Sequence, residues 1–486
     1  MQMNYLGIEL NVKNIPELDR DFIPMGPWMI EYEKEASRPV GIAIEREEGK
    51  VTVFETKLRG EEYEEANLRY LERYIKFCLW TVGGWKVTVC GCDREALKVK
   101  EDYVLGSARD FDVDFMMNTY ERPFEFEICA PEDLPEANDE DKSVGGHLEG
   151  CRIGFDAGGS DRKVSAVIDG ETVYSEEVVW HPKLSEDISY QYEGILDSFR
   201  TAASKMPRVD GIGVSTAGVL IGNAPMVSSI FLKIDRKDWD QVKTVYDRAA
   251  AEIGDVPIVV ANDGDVTALA GAMSMGVAPV MGIAMGTSEA GGYVNGDRNV
   301  LGWFNELAFA PVDLNDKSMA DPWSGDTGVG ATYFSQDSVI KLAPAAGIAL
   351  DENLAPAEKL KVVQDILEGR ISDGAQPAQA CDAAPTCDGH CGLKLLIGAR
   401  RIFETIGTYL AHTLVLYGLF YDLKHVLILG RVASGIGGEI LVNQCNMVLK
   451  DEYPELAEKI NVMLPDEKMR RVGQSVAAAS LPEIRK

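Results

Sequence analysis

The chain has 486 residues, of which 46% are hydrophobic and 26% charged, an ordinary composition for a folded globular protein. Its formal net charge of -30 opposes binding to phosphate backbones, which excludes nucleic acid as an expected partner. The sequence begins without a basic leader, and its apolar runs are shorter than the roughly 18 residues of a membrane span, which predicts a cytoplasmic protein without a membrane partner.

The first 150 residues predict a small α/β domain. Strand, turn, strand, helix and strand are indicated in order by "RPVGIAIEREEGKVTVFETKL", "NLRYLERYIKFCLW" and "WKVTVCG". The same order follows Cys151, so one hypothesis is that this region is a degenerate copy of the next unit; the alternative is an unrelated α/β domain. Residues 130–150 are rich in Pro, Gly and acids, which predicts a solvated linker and a domain boundary.

The next elements predict a β-meander extended by crossover strands, hence an α/β fold. Three antiparallel strands are indicated by "RIGFDA", "KVSAVI" and "TVYSEEVVW", with glycines 158 and 159 in the first turn. A helix in "YEGILDSFRTAASKM", a strand in "DGIGVST", a helix over residues 239–253 and a strand in "VPIVVAND" follow.

The pattern then restarts, which implies two similar halves. A second strand, glycine turn and strand are indicated by "VMGIAMGTS" and "AGGYVNGD". A long apolar helix is predicted over residues 399–421, followed by a buried strand in "HVLILG" and a closing helix in "VGQSVAAASLP".

Two glycine hairpins and one acidic strand end carry the predicted chemistry. Backbone N–H groups in such hairpins can cradle a polyphosphate, and Asp156 beside them suits Mg²⁺, held directly or through water. Asn262 and Asp263 follow a buried strand, where open α/β sheets place ligand groups, and Asp263 could accept a hydroxyl proton during phosphoryl transfer. The alternative is that Asn262, Asp263 or Asp265 only caps the following helix.

Several stretches in order resemble the ROK family of sugar kinases and repressors, of the actin, hexokinase and Hsp70 superfold. The resemblance runs from Cys151 to the end and is carried by "DAGGSD", "GIGVSTAGVLIGNAPMV", "VPIVVANDGDVTALAGA", "IAMGTSEAGGYVNGD", "GWFNELAF" and "YDLKHVLILGRVASG". It implies two ribonuclease-H-like (actin-like ATPase) domains with an interdomain cleft, beside the additional N-terminal α/β domain. Their expected bounds are residues 1–150, 151–262 joined by a C-terminal helix at about 472–486, and 263–471.

The resemblance also implies the roles of individual residues. Asp263 would be the catalytic base, and the sugar would be bound by Asn262, Glu306, Ser215 and Gly218. ATP and Mg²⁺ would be the cofactors, and the phosphates and adenosine would be bound by Asp156, Gly158, Gly159, Ser160, Gly286, Thr287 and Gly430. A homodimer is expected.

The chain departs from the family pattern at several positions. Asp161 stands where a Lys usually follows the first phosphate motif, Ser288 and Ala290 replace glycines of the second, and Phe309 replaces the His after Glu306. The family's zinc signature is replaced by "WSGDTGVGATYFSQDSV", which contains no Cys. The structural zinc is therefore expected to be lost there, and sugar binding is expected to differ from that of glucose-type members.

A second candidate for a metal site lies in "CDAAPTCDGHCG". Cys381, Cys387, His390 and Cys391 could close a tetrahedral zinc site, although the spacing from Cys381 is wide. The alternative is a Gly/Pro/Ala loop with incidental thiols, and most of the nine Cys are expected to be reduced.

The sequence thus predicts an ATP-dependent phosphotransferase that acts on a sugar or a sugar-like hydroxyl compound. The competing hypothesis is a non-catalytic sugar or nucleotide sensor whose N-terminal domain recruits a protein, since the His and the zinc ligands are missing.

Overall fold

The computed structural model describes residues 2–139, 144–370, 375–377, 390–465 and 473–484. The chain is of mixed α/β class, as the sequence predicts. Among the described helices, none combines the length and the hydropathy that crossing a bilayer requires.

The N-terminal region forms a four-stranded sheet in the order β4-β3-β5-β6 with helices around it. Its elements are β1 (Gln2–Tyr5), β2 (Ile8–Asn11), α1 (Met25–Glu33), β3 (Arg38–Glu45), β4 (Val51–Leu58), α2 (Glu64–Val82), β5 (Lys86–Cys90), α3 (Asp93–Asp102), α4 (Asp110–Tyr120) and β6 (Glu125–Cys129). Helix α2 ends at Gly83, whose φ of +77° is one that residues with a side chain rarely adopt.

The middle region forms a five-stranded sheet in the order β13-β10-β7-β8-β9. Its elements are β7 (Cys151–Ala157), β8 (Asp161–Ile168), β9 (Glu171–Val179), α5 (Ile188–Ala203), β10 (Gly211–Thr216), β11 (Val219–Ile221), β12 (Ala224–Val227), α6 (Trp239–Lys243), α7 (Val245–Ala251) and β13 (Ile258–Asn262). Strands β7, β10 and β13 are parallel and β8 is antiparallel to both of its neighbours, so the predicted meander with crossover strands is present. The helix predicted over residues 239–253 is instead two short helices that meet at Thr244.

The degenerate-copy hypothesis for the N-terminal region is wrong. In that hypothesis β5 would correspond to β10, which runs parallel to β7. Strand β5 instead runs antiparallel to β3. The similar order of elements along the sequence therefore hides a different sheet topology.

The remaining residues form a second sheet in the order β15-β14-β18-β19 with helices packed around it. The elements are α8 (Asp263–Met275), β14 (Val280–Met285), β15 (Glu289–Val294), α9 (Gln336–Leu342), β16 (Ile348–Leu350), α10 (Pro356–Leu367), β17 (Ala375–Pro377), α11 (His390–Tyr417), β18 (His425–Leu429), α12 (Gly435–Glu452), α13 (Pro454–Ala457), β19 (Asn461–Met463) and α14 (Gln474–Ala479). The predicted second hairpin is present as β14 and β15. The long helix begins earlier than predicted and ends at Tyr417, before Gly418.

The closing helix α14 packs on the five-stranded sheet of the middle region. A Cβ atom at Gly154 of β7 would lie 1.6 Å from the carbonyl oxygen of Ser475, and one at Gly213 of β10 would lie 1.7 Å from that of Ala478. Only glycine in the strands permits this approach, which returns the end of the chain to the middle region.

The N-terminal region shares its hydrophobic core with the second sheet. One continuous cluster of buried side chains contains Ile42 of β3 and Leu79 of α2 together with Ile283 of β14 and Leu410 of α11. The middle region has a cluster of its own, which includes Phe155. The predicted boundaries at residues 150 and 262 stay predictions, but the N-terminal residues do not have a core to themselves.

Candidate functional site

Asp156 lies near the carboxyl end of β7, where the first glycine turn begins. In the register of β7 and β10 it stands opposite Ser215, so two predicted site residues are neighbours. Burial raises the pKa of Asp156 to about 6, an effect that the Ser215 hydroxyl opposes and the charge of Asp263 increases. A carboxylate that is ionised near neutral pH beside a phosphate turn fits Mg²⁺, which prefers oxygen ligands.

The first glycine turn is held by Trp180, which follows β9. The indole Nε1 of Trp180 donates to the carbonyl oxygen of Gly158 at 2.7 Å, and its backbone N–H donates to that of Ser160 at 3.1 Å. A Cβ atom at Gly158 would lie 2.6 Å from the carbonyl oxygen of Asp161, so the tight turn requires glycine there. Gly159 and Ser160 of this turn are exposed, and their binding of phosphate stays a prediction.

Asn262 is the N-cap of α8, and Asp263 is the first residue of the helix. The Asn262 side chain accepts a hydrogen bond from the N–H of Gly264 at 2.7 Å and donates one to the carbonyl oxygen of Gly218 at 2.9 Å. The capping interpretation is therefore confirmed for Asn262, whose amide also ties α8 to the predicted substrate residue Gly218. The carboxyl group of Asp263 is not the N-cap of this helix, and its catalytic role stays a prediction.

Several groups influence the pKa of Asp263, and its charge influences two other carboxyl groups. Burial raises its pKa above the ordinary value, while its own amide, that of Gly264 and the ammonium group of Lys183 lower it. Its charge in turn raises the pKa of Asp156 and of Glu306. Asp263 thus influences two other predicted site residues, which come from two separate segments of the chain.

Glu306 lies in a segment whose backbone is held by the end of α2. The N–H groups of Asn305 and Glu306 donate to the carbonyl oxygens of Thr81 and Trp80, at 2.9 and 3.1 Å. Asn305 has a φ of +50°, a strained conformation that this pairing stabilises. Burial, together with the charges of Asp263 and Asp265, raises the pKa of Glu306 to about 7. The N-terminal region therefore positions a predicted substrate residue.

Asp265 connects this segment to the second hairpin and was only a possible helix cap in the sequence. Its Oδ1 accepts hydrogen bonds from the N–H of Tyr293 in β15 and from Nδ2 of Asn305, both at 3.0 Å. Burial raises its pKa to about 7. Its position two residues after Asp263 on α8 was visible in the sequence, but its partners were not.

Aromatic side chains of the N-terminal region pack around the Glu306 segment. Phe309, which stands where the resemblance predicts His, lies 4.6 Å from Trp80 and 5.0 Å from Phe111 between ring centroids. Phe304 stacks on Tyr120. A Cβ atom at Gly83 would lie 2.5 Å from the ring of Phe304. At the position where the resemblance predicts His, this chain therefore has a Phe that makes hydrophobic contacts with the N-terminal region.

A buried ion network occupies the stretch where the family zinc signature would stand. Asp326 contacts Arg73 at 3.0 Å, Lys76 at 3.3 Å and Arg109 at 2.5 Å, all from α2 or the start of α4. Burial would raise the pKa of Asp326, but Lys76, Arg73 and Arg109 hold it well below the usual range. This stretch is therefore anchored to the N-terminal region by charge.

The turn between β14 and β15 contacts the residues that follow β18, Gly430 and Arg431. Arg431 donates a hydrogen bond to the hydroxyl of Thr287 at 2.6 Å, and the carbonyl oxygen of Gly286 accepts the N–H of Gln336 at 2.9 Å. Gly430 has a φ of +88°, and a Cβ atom there would lie 2.4 Å from the carbonyl oxygen of Met285. A cavity of about 370 Å³ adjoins this point, bordered by residues that include Gly430, Ser434 and Glu439.

A second cavity, of about 320 Å³, adjoins two residues that were predicted to bind substrate. It is lined by these residues, Gly218 and Asn262, by Asp265 and by the segment 301–304. Its remaining wall includes residues 47, 48 and 50 of the turn between β3 and β4, so the N-terminal region also borders this cavity. The predicted linker is not wholly solvated, because Asp139 accepts a hydrogen bond from Thr52 and lines the same cavity.

The Cys-rich zinc candidate cannot be placed. Cys381 and Cys387 lie outside the described residues, as do the side chains of His390 and Cys391.

No protein-family model and no curated protein matches the chain. Its fold is similar to three solved structures described as a ROK family transcriptional regulator homologous to the E. coli MLC protein, a ROK hexokinase from Thermus thermophilus, and a ROK family glucokinase from Streptomyces griseus in complex with glucose and AMPPNP. All three descriptions name the family that the sequence motifs resemble.

The three similarities are distant. Sequence identities are 16%, 17% and 19%, and TM-scores are 0.48, 0.46 and 0.44, in the same order. The matches cover 69%, 68% and 68% of this chain and 79%, 97% and 99% of the solved chains.

Proposed function

We propose that the protein is an ATP-dependent phosphotransferase that acts on a hydroxyl group of a sugar or sugar-like compound. The observation that carries the proposal is the position of Asp263 directly after β13, in the parallel sheet whose strand β7 contains Asp156. Asp265 of the same helix is hydrogen-bonded to Asn305, the neighbour of Glu306. Asp156 adjoins a glycine turn suited to phosphates, and Glu306 is a carboxylate that could accept hydrogen bonds from hydroxyl groups. A base between two such groups is the arrangement that phosphoryl transfer to a hydroxyl needs.

The proposal includes two ribonuclease-H-like lobes with the nucleotide in the cleft between them. One lobe would be residues 151–262 joined by α14, and the other residues 263–471. Each begins with an antiparallel hairpin beside a parallel strand, which supports the assignment. A homodimer and a cytoplasmic location stay predictions.

In the proposed reaction Asp263 accepts the proton of the substrate hydroxyl as that oxygen attacks. ATP supplies the γ-phosphoryl group, and Asp156 would hold Mg²⁺ directly or through water. Glu306 orients the substrate by accepting hydrogen bonds from its hydroxyl groups, which an ionised carboxylate does more strongly than a neutral acceptor. Burial of Asp263 favours its role, because a base with a raised pKa holds the proton more firmly.

The nucleotide would lie against the two glycine hairpins. Gly158, Gly159 and Ser160 would contact the phosphates from the first hairpin, and Gly286 and Thr287 from the second. Gly430 would border the adenosine side, which the adjoining cavity supports. The substrate would occupy the cavity bordered by Asn262, Gly218 and residues 47, 48 and 50. Ser215 is buried.

The test is an ADP-release screen with hexoses, N-acyl hexosamines and polyols, followed by Asp263→Asn on the best substrate. Loss of a general base commonly lowers kcat by about 10²- to 10⁴-fold, while substrate and nucleotide affinities should stay near wild type. Asp240→Asn, at an exposed position of α6, is the control and should retain full activity. No turnover by the wild-type protein, or full turnover by Asp263→Asn, would contradict the proposal.

A second candidate function is a non-catalytic sensor of a sugar or nucleotide. It is favoured by Phe309, whose ring is committed to the aromatic cluster of the N-terminal region where a kinase of this kind would have His. Calorimetry separates the two functions. Sugar binding without binding of Mg·AMPPNP would support the sensor, and binding of both ligands would support the kinase.

A further inference from the structure

Lys183 lies across the first glycine turn although it is distant from that turn in sequence. It belongs to the short turn Pro182–Leu184 that follows β9. A Cβ atom at Gly159 would lie 2.6 Å from Cε and 2.9 Å from Nζ of Lys183. Gly159 does not have a positive φ, and its lack of a side chain leaves room for the end of the Lys183 side chain.

The backbone that carries Lys183 is fixed on both sides. Trp180 holds the glycine turn through its hydrogen bond to the carbonyl oxygen of Gly158. The carbonyl oxygen of Pro182 accepts a hydrogen bond from Nε2 of the buried Gln191 at 2.9 Å. The base of the Lys183 side chain is therefore positioned by α5 and β9, while the side chain itself is exposed.

The ammonium group of Lys183 is not paired with a carboxylate at the surface, among the residues that the structure describes. The other lysine near this turn, Lys163 of β8, lies 3.7 Å from both Asp161 and Glu177. Lys183, by contrast, forms no ion pair or hydrogen bond with the residues that the structure describes. Its ammonium group instead acts on Asp263 at a distance, where it lowers the pKa of that carboxyl group.

We propose that Lys183 binds the γ-phosphate of the nucleotide and neutralises charge on it during transfer. This inference rests on the proposed kinase function. An ammonium group acts as a compact point charge toward phosphate, and that of Lys183 lies against the glycine turn, 2.9 Å from the place of a Cβ atom at Gly159. It would supply the positive charge that Asp161 cannot, since Asp161 occupies the place of the expected Lys.

The test compares nucleotides with and without a γ-phosphate by calorimetry. Lys183→Met should bind Mg·AMPPNP about 10-fold to 100-fold more weakly than wild type, the range for losing one hydrogen bond to a charged group, and Mg·ADP within about twofold. Lys183→Arg keeps the charge and should retain most of the AMPPNP affinity. Lys237→Met, at an exposed position of the same region, should leave both affinities unchanged.

The outcomes separate this inference from the proposed function. A wild-type protein that does not bind Mg·AMPPNP would overturn both. Wild-type binding of AMPPNP that is unchanged in Lys183→Met would overturn only the role of Lys183. Equal weakening of AMPPNP and ADP would also overturn it, because the contact would then not be with the γ-phosphate.

Discussion

Gly83→Ala should displace the Glu306 segment through Phe304. Gly83 has φ of +77° and ψ of 161°, a region that is essentially restricted to glycine and costs about 1 to 3 kcal/mol for other residues. The added Cβ atom would lie 2.5 Å from the Phe304 ring, and such overpacking typically costs a further 1 to 3 kcal/mol, roughly. The free energy of unfolding should therefore fall by about 2 to 6 kcal/mol.

Gly106→Ala is the matched control. Gly106 also has a positive φ, of +82°, but a Cβ atom there would meet nothing within 4 Å. It should lose only the backbone contribution of about 1 to 3 kcal/mol. Urea unfolding followed by circular dichroism measures the difference between the two variants.

Ligand binding supplies the second measurement on the same pair. Phe304 is two residues from Glu306, so Gly83→Ala should weaken binding of the best substrate from the ADP-release screen while AMPPNP affinity stays near wild type. Gly106→Ala should affect neither ligand. Equal stability of the two variants, with wild-type substrate affinity in Gly83→Ala, would refute the idea that the end of α2 positions the Glu306 segment.

Three further predictions concern buried carboxyl groups. Asp326→Ala should lower the free energy of unfolding by about 3 to 5 kcal/mol, because three buried cations lose a partner that they share. The control Asp240→Ala, at the surface, should change it by less than about 0.5 kcal/mol. Chemical denaturation measures both variants. Burial raises the pKa of Glu289 from an ordinary value of 4.5 to about 8. Between these pH values the unfolded chain releases the proton of Glu289 and the folded protein keeps it, so the stability of the folded protein falls as the pH rises. Glu289→Gln should therefore gain stability relative to wild type between pH 5 and pH 8, by more than the roughly 1.4 kcal/mol of one pKa unit, and an equal difference at both pH values would contradict this. Glu306→Gln should weaken sugar binding by about 1.5 to 3 kcal/mol and leave the AMPPNP affinity unchanged. In the wild type the sugar affinity should increase as the pH rises through about 7, and this increase should be absent in the variant. Calorimetry across pH 6 to 8 measures both effects.

Much of the local structure was predictable because it depends on short-range patterns. Alternating apolar residues around glycines 158 and 159 predict a hairpin, and β7 and β8 form it. The boundary between β13 and α8 at Asn262 follows from a buried run that ends in a capping residue. The N-terminal region shows the limit of such patterns, since its order of elements was predictable but the antiparallel pairing of β5 with β3 was not.

The sequence by itself determined the α/β class, the two glycine hairpins and the acidic strand end at Asp263, because each is a feature of a few consecutive residues. Only the tertiary structure decided what surrounds them. The hydrogen bond from Asn305 to Thr81 and the approach of Lys183 to Gly159 join segments that no local periodicity connects. Contacts of this kind depend on how sheets and helices pack, and packing is set by the whole core rather than by any stretch of the chain.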